Sequence, residues 1–377
     1  MFMTQRLASS AASASKAGGS RKIVLVGAGF LGSYIARALI ADPRNRVQIV
    51  SRHPQKLYET LRPLGTQILP PHSADITNPD TTELAKALDG ASAVVSLVGV
   101  LAGTEKKMQE VQLDGAGRVA LQAKSAGVGR VVMLSAIGSD INGETPYFRT
   151  KAQAEQMFLD SHPTATIIRP SIVFGPGDSF FNRFAALAKF LPFLPVFGGG
   201  VVKFQPVYVG DVARAVEICC RDDPKVVEQV GGKIIEAGGP EVFTYREIMG
   251  LVLRYSGLKR FIISLPYWVG MIQGAVLERL PENIFTLTRD QVKQLKYDNI
   301  VSPTPPLNSL SFTSLLTAFP SSLPSSSPPE KGAGLKSVHD ILPTYLGPEE
   351  AREEGKRTHG RKAGGFEDVQ KLKSKTR

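Results

Sequence analysis

A chain of 377 residues, 42% hydrophobic and 21% charged, can bury a large core, which excludes a wholly disordered or fibrous protein. Its two cysteines, Cys219 and Cys220, are sequence neighbours and its five histidines show no paired-ligand spacing, so a disulfide-stapled fold and a metal site are not expected. The net charge of +11 does not predict nucleic-acid binding, because several basic residues lie near the two termini and no basic helix with interleaved aromatics occurs.

Residues 1–41 contain no Asp or Glu, and the Ser- and Ala-rich start carries Arg6, Lys16, Arg21 and Lys22. Such a leader without a continuous apolar run predicts a mitochondrial transit peptide over 1–21, with a disordered tail as the alternative. The segment from Lys22 to Ile40 then reads as strand, glycine turn and helix. Gly27 permits the turn, Gly29 lets backbone approach a pyrophosphate, and Gly32 packs the helix against its strand. The helix start at Phe30 and Leu31 offers unpaired N–H groups to an anion. This fingerprint predicts dinucleotide binding.

Further strands are expected at Val47–Val50, Gln67–Leu69, Ala93–Val98, Arg130–Leu134 and Thr166–Ile168. Helical patterns fill the gaps at Lys56–Leu64, Thr82–Leu88, Lys107–Ala126 and Tyr147–Leu159. Strands alternating with helices predict an α/β fold, a doubly wound parallel sheet of the Rossmann type spanning 22–221. A small C-terminal lobe is expected from 222–300 together with 180–203. Beyond Arg169 the alternation loosens: Phe180–Phe197 reads as a helix and a Pro-rich turn, Phe204–Val209 as a strand, and Asp211 as the cap of a helix to about Cys220. Capping boxes open helices at Thr244/Glu247 and Thr288/Gln291.

Phe261 to Leu277 is apolar but for Ser264, Pro266, Tyr267 and Gln273, and reads as a buried helix. The alternative is a membrane-surface contact through 261–279, flanked by Lys259, Arg260 and Arg279. Residues 301–329 hold nine Ser, seven Pro and no charge, so 301–336 is expected to be a disordered insert. The fold should resume near Ser337, with a C-terminal element and charged tail over 337–377.

At the end of the second strand, Ser51 and Arg52 stand where an NAD site usually places an acid. A hydroxyl beside a guanidinium suits a 2′-phosphate, so NADPH is expected over NADH. Asp75 and Ile76 are expected at the adenine edge, and Val98 and Gly99 near the ribose. Tyr147 and Lys151 share a helix face at i and i+4, where an ammonium can lower a phenol pKa and hold the nicotinamide ribose.

With these motifs the chain resembles the short-chain dehydrogenase/reductase superfamily in its extended branch, over roughly residues 22–300. The glycine turn GAGFLG, the strand end SAIGSD, YxxxK and RPSIVFGPGD (169–178) carry the likeness. FGPGDSFFNRFA (174–185), QPVYVGDVA (205–213) and LTRDQVKQLKYDN (287–299) are similar to the NAD(P)-binding accessory subunits of respiratory complex I. The resemblance implies further cofactor contacts at Ser135, Pro170 and Val173. Extended reductases usually follow Ser135 with a second hydroxyl that binds the substrate carbonyl; here Ala136 takes that slot. The resemblance therefore implies a largely non-catalytic, NADPH-holding complex I subunit on the matrix side of the mitochondrial inner membrane. The alternatives are an active reductase serving ubiquinone biosynthesis and a mitochondrial assembly factor.

Overall fold

The structure is a computed structural model describing residues 19–101, 103–279, 285–319, 334–350 and 352–353. Its first half alternates β1 (Arg21–Val26), α1 (Phe30–Leu39), β2 (Asn45–Ser51), α2 (Gln55–Leu61), β3 (His72–Ser73), α3 (Thr82–Leu88) and β4 (Ala91–Ser96). There follow α4 (Glu105–Met108), a π turn (Gln109–Gly115), α5 (Ala116–Ser125), β5 (Arg130–Leu134), α6 (Pro146–Ser161) and β6 (Thr166–Pro170). All pairings in the central sheet are parallel. Its order is Ile234–Ala237, β6, β5, β4, β1, β2, β3.

Alternate residues of these strands feed two cores. Ile23, Leu25, Ile49 and Val95 enter one, and Val24, Val26, Val50 and Val94 the other. A parallel sheet covered on both faces needs apolar residues in both phases, which is why the strands read as continuous hydrophobic runs. The order reverses between β1 and β4, so a crevice opens at their carboxyl ends, where α1 begins.

Several expectations need correction. The leader's first eighteen residues lie outside the described residues, but Arg21 belongs to β1, and its buried guanidinium donates to Asn45 and to the Cys220 carbonyl. The third strand forms at His72–Ser73. Residues Gln67–Leu69 make only a local bridge to Val47, because Pro70 and Pro71 have no N–H with which to continue the ladder. Ile234–Ala237 joins the central sheet beside β6, so the domain boundary at 221 cuts through the nucleotide-binding domain. A strand of four residues is too short to show a strand period.

Both capping boxes form as expected, at Thr244/Glu247 and Thr288/Gln291. Asp211 does not cap its helix, Val209–Cys219. It sits in the first turn and accepts from the Lys336 N–H at 2.9 Å. Phe193–Phe197 is a strand rather than a turn, paired in parallel with Phe261–Leu265.

The run Phe261–Leu277 is not a buried helix. It divides at Pro266 into that strand and a helix, Tyr267–Leu277. The helix presses Gly270 against Phe197 and Gly274 against Thr288 and Arg289, and these two glycines are its buried residues. Trp268, Ile272 and Val276, four residues apart, are exposed. Among the described residues no helix is long and apolar enough to cross a membrane.

Of the insert expected to be disordered, 301–308 is ordered but largely exposed and 309–319 is packed; residues 320–333 lie outside the described residues. Ser309 bridges Ile234, and the Leu310 N–H donates to the Ile234 carbonyl at 2.9 Å, so the tract lines the open sheet edge. Ser311 caps a helix, Phe312–Ala318, whose Phe312, Leu315 and Leu316 are buried in the first core. Arg214 donates to the carbonyls of Leu316 and Phe319 at its end. Uncharged composition hid a short amphipathic helix.

Candidate functional site

The glycine turn is held in shape by contacts only glycine permits. Gly27 has φ of 129°, a Cβ there would meet the Leu97 Cβ at 2.9 Å, and its N–H donates to the Val50 carbonyl at 2.8 Å. A Cβ at Gly32 would lie 3.2 Å from both the Gly27 carbonyl and Leu97. Gly29 differs: a Cβ there would meet nothing within 4 Å, so open space lies before the start of α1. The helix has no side-chain cap and no acid in its first turn. Its first N–H groups, at Phe30 and Leu31, are available to a phosphate.

At the far end of β2 a cavity of about 510 Å³ is lined by Arg52, His53, Ser73, Ala74, Asp75 and neighbours on α3. The Ser51 hydroxyl is buried without a partner among the described residues. A buried hydroxyl lacking a partner is costly unless a ligand or water completes it. Asp75 accepts from the Thr77 N–H and hydroxyl at 2.9 and 2.7 Å, which holds its carboxyl below the ordinary range. Ile76 packs beside Gly115. His53, which sequence reasoning passed over, lines the same cavity as Arg52; adjacency was its only signal. The cavity's lining also includes Asp80 and Glu83, so Arg52 and His53 stand at its mixed-charge wall. The open diphosphate position, the orphaned Ser51 hydroxyl and the Arg52 guanidinium beside it fit an adenosine dinucleotide.

The opposite end is built differently. Thr145 caps α6 and brings Tyr147 and Lys151 to the crevice between β4 and β5. Lys151 is buried and donates to the Val98 carbonyl at 2.8 Å and the Leu134 carbonyl at 3.0 Å. Burial pulls its ammonium down to about 8, partly opposed by Glu155. One of three ammonium protons is thus left for a ribose hydroxyl. Gly99 lies against this ammonium, where a Cβ would stand 3.1 Å from Nζ. The Tyr147 phenol is pushed up to about 12 by burial. The expected lowering of the phenol by Lys151 is therefore not found; desolvation governs it.

Ser135 also departs from expectation. Its hydroxyl pairs with Ser139 at 3.0 Å and donates to Glu155, which is bound in bidentate fashion by Arg169. It is committed inside the protein, and its N–H donates to the Ile168 carbonyl at 2.7 Å, leaving its own carbonyl for a cofactor. Ala136 follows it and is buried. Pro170 ends β6, where its carbonyl accepts from the Ile137 N–H, and Val173 pairs with Val207.

Other residues here carry roles that sequence reasoning missed. Gln112, buried on the π turn, accepts from the Val100 N–H and donates to Thr150, bracing the turn after β4. Asn299 accepts from the Ser171 hydroxyl and the Ile172 N–H, fixing the loop after β6. Its signal was the DN of LKYDN, a motif noted without a role.

Fold, crevice and glycine turn together define an NAD(P)-binding protein of the extended short-chain dehydrogenase/reductase type. A family model for NAD(P)H-binding proteins matches residues 6–176. The chain is 30% identical over 302 residues to the mitochondrial NADH dehydrogenase (ubiquinone) 1 alpha subcomplex subunit 9 of Arabidopsis thaliana, covering 76% of this chain and 71% of that one. It is 26% identical to the mitochondrial NADH-ubiquinone oxidoreductase 40 kDa subunit of Neurospora crassa over 59% of this chain and 57% of that subunit. The chain belongs to the family of NADH dehydrogenase (ubiquinone) 1 alpha subcomplex subunit 9. In fold it matches UDP-glucuronic acid 4-epimerase of Bacillus cereus, in complex with UDP-glucuronic acid and NAD, with a TM-score of 0.55, 20% identity, and coverage of 74% of this chain and 95% of that one.

Proposed function

We propose that this chain is a non-catalytic, NADPH-holding accessory subunit of mitochondrial NADH:ubiquinone oxidoreductase that supports the complex near its quinone region. The observation that carries the non-catalytic part is the catalytic end of the crevice. Ala136 supplies no hydroxyl, Ser135 is bound to Glu155, and Lys151 donates to two carbonyls. A missing carbonyl donor of this kind costs roughly 2–4 kcal/mol of transition-state stabilisation. The nucleotide would supply a hydride if a substrate met it; the residues around it are arranged for holding. Phe30 and Leu31 N–H groups would face the diphosphate, Ser51, Arg52 and His53 the 2′-phosphate, and Lys151 the nicotinamide ribose.

Native purification from mitochondria tests the membership: co-migration with the oxidoreductase and release of NADPH on denaturation is the expected result. Calorimetric titration should find NADPH bound more tightly than NADH, with Arg52→Asp reversing the order. Equal affinities would remove Arg52 from the site. The active-reductase reading keeps one observation in its favour, the intact Tyr147 and Lys151 on α6. Reduction of a quinone or carbonyl at ordinary enzymatic rates, lost in Tyr147→Phe, would establish it instead.

The same reading gives 261–279 a bilayer surface as its partner. Phe261 is 80% and Trp268 64% exposed, Ile263, Ile272 and Val276 are exposed in the same stretch, and exposed Lys259, Arg260 and Arg279 flank it, with Glu278 paired to Arg289. Apolar side chains rimmed by cations suit an anionic lipid interface. Flotation with cardiolipin-containing vesicles, abolished by Trp268→Ser with Ile272→Ser, is the expected outcome. Vesicle-independent loss of oxidoreductase association in that variant would assign the face to another subunit.

A further inference from the structure

The sequence FGPGD, 174–178, leaves the strand Val173–Phe174 and enters the helix Phe180–Phe190. Gly175 and Gly177 take φ of 150° and 95°, conformations that side chains rarely adopt. Asp178 ties the resulting loop into a knot. Its carboxylate accepts from the Gly175 N–H at 3.2 Å and the Phe181 N–H at 2.7 Å. Burial pushes this carboxyl up, and the N–H groups pull it back. One side of the loop meets the nucleotide turn. A Cβ on Gly177 would stand 3.6 Å from the Phe30 ring, and the Tyr34 hydroxyl donates to the Pro176 carbonyl at 2.9 Å. Phe30 and Tyr34 stack edge-on at 5.4 Å along the first turn of α1.

The other side of the loop meets a distant part of the chain. The Tyr345 hydroxyl donates to Asp178 Oδ2. Tyr345 belongs to the C-terminal element, whose Val338, Ile341, Leu342 and Leu346 are buried in the lobe's core beside Phe174, Phe181 and Val209. A second hydrogen bond holds that element elsewhere: the Tyr255 hydroxyl lies 2.7 Å from His339 Nδ1. Contacts therefore run from Phe30 through Tyr34 to the Pro176 carbonyl, and along the loop through Asp178 to Tyr345.

We propose that Tyr345 is a positioning residue for the bound nucleotide, holding the Gly175–Gly177 loop against Phe30 through Asp178 and so coupling the C-terminal element to cofactor occupancy. The proposal rests on the chain's nucleotide binding and extends it to a residue 167 positions from Asp178. Coupling of this kind is reciprocal: a strap that steadies the loop slows nucleotide release, and bound nucleotide steadies the strap. A buried carboxylate that loses a hydroxyl donor loses one of its stronger hydrogen bonds, so the loop would open more often.

The test uses the full chain with NADPH as probe, reading release by the loss of cofactor fluorescence on displacement. Tyr345→Phe should release NADPH about tenfold faster, the size expected for one charge-assisted hydrogen bond. Tyr255→Phe, which removes another hydroxyl that holds the same element but does not touch the loop, should change release less than about twofold. In hydrogen exchange, NADPH should slow the amides of 338–346 in the unaltered chain and leave them unaffected in Tyr345→Phe. Unchanged release in Tyr345→Phe overturns the coupling, as does equal acceleration in both variants, which would make the contact merely structural. Nucleotide-insensitive exchange in the unaltered chain overturns it too. An unaltered chain that binds neither NADPH nor NADH would overturn the nucleotide reading itself, and the coupling with it.

Discussion

Two stretches of this chain exchange the places their composition suggests. Phe261–Leu277 is apolar in sequence and lies largely on the surface, whereas 301–319 is rich in Ser and Pro and closes a core. The first carries no polar face to turn toward water, so its two glycines became the seam and its large side chains were left outside. The second needed only three apolar residues at helical spacing and a sheet edge to cover. Burial follows from what an element finds opposite it, and the overall composition of a short segment is a poor guide to where it packs.

The largest effect that separates the two stretches should come from the core side. Leu315→Ala removes a fully buried side chain and should destabilise the chain by about 2–5 kcal/mol in denaturant unfolding, with the spread set by how far the site relaxes. A loss under about 0.5 kcal/mol would mean that the Phe312–Ala318 helix does not pack as described.

The chain's return after this tract supplies the next. Asp211 receives the Lys336 N–H, and burial lifts its carboxyl to about 6. A carboxyl raised above its unfolded value of about 3.9 binds more protons in the folded state. Its favourable contribution is therefore full at acid pH and lost as pH rises from about 4 to about 6. Asp211→Asn should keep the acceptor, flatten stability over that window, and stabilise at pH 7 by roughly 1–3 kcal/mol. Thermal unfolding at pH 4, 5, 6 and 7 measures this, and an unchanged profile would contradict the raised carboxyl.

Smaller still is the cap. Ser311 accepts from the Ser314 N–H, and Ser311→Ala should cost about 1 kcal/mol by the same unfolding measurement. The exposed stretch should respond least. Trp268→Ser and Ile272→Ser each remove surface side chains and should shift folding stability by no more than about 0.5 kcal/mol. A core-sized loss in either would show that this face is covered within the folded chain.

The sequence was most legible where backbone geometry dictates residue type. Gly27 and Gly32 have no steric substitute, the strands of a doubly covered sheet must be apolar in both phases, and Thr244 and Thr288 cap through bonds made within one turn of helix. Such constraints are local, so the nucleotide turn, the parallel sheet and the capping boxes stood in the linear order. The site's chemistry was less so. Tyr147 and Lys151 showed their spacing, but not that Lys151 donates to Val98 and Leu134, nor that Ser135 turns to Glu155. Those choices depend on which carbonyls and carboxylates lie across a gap from other strands. The same holds for Asp178 meeting Tyr345, for Ile234–Ala237 joining the sheet, and for the Phe312–Ala318 helix finding its edge. The sequence by itself determined a dinucleotide-binding α/β fold, because helix and strand periods and glycine turns are properties of neighbouring residues. Only the tertiary structure decided which polar groups are satisfied within the protein and which face the nucleotide, because hydrogen-bond partners and burial are set between segments far apart in the chain.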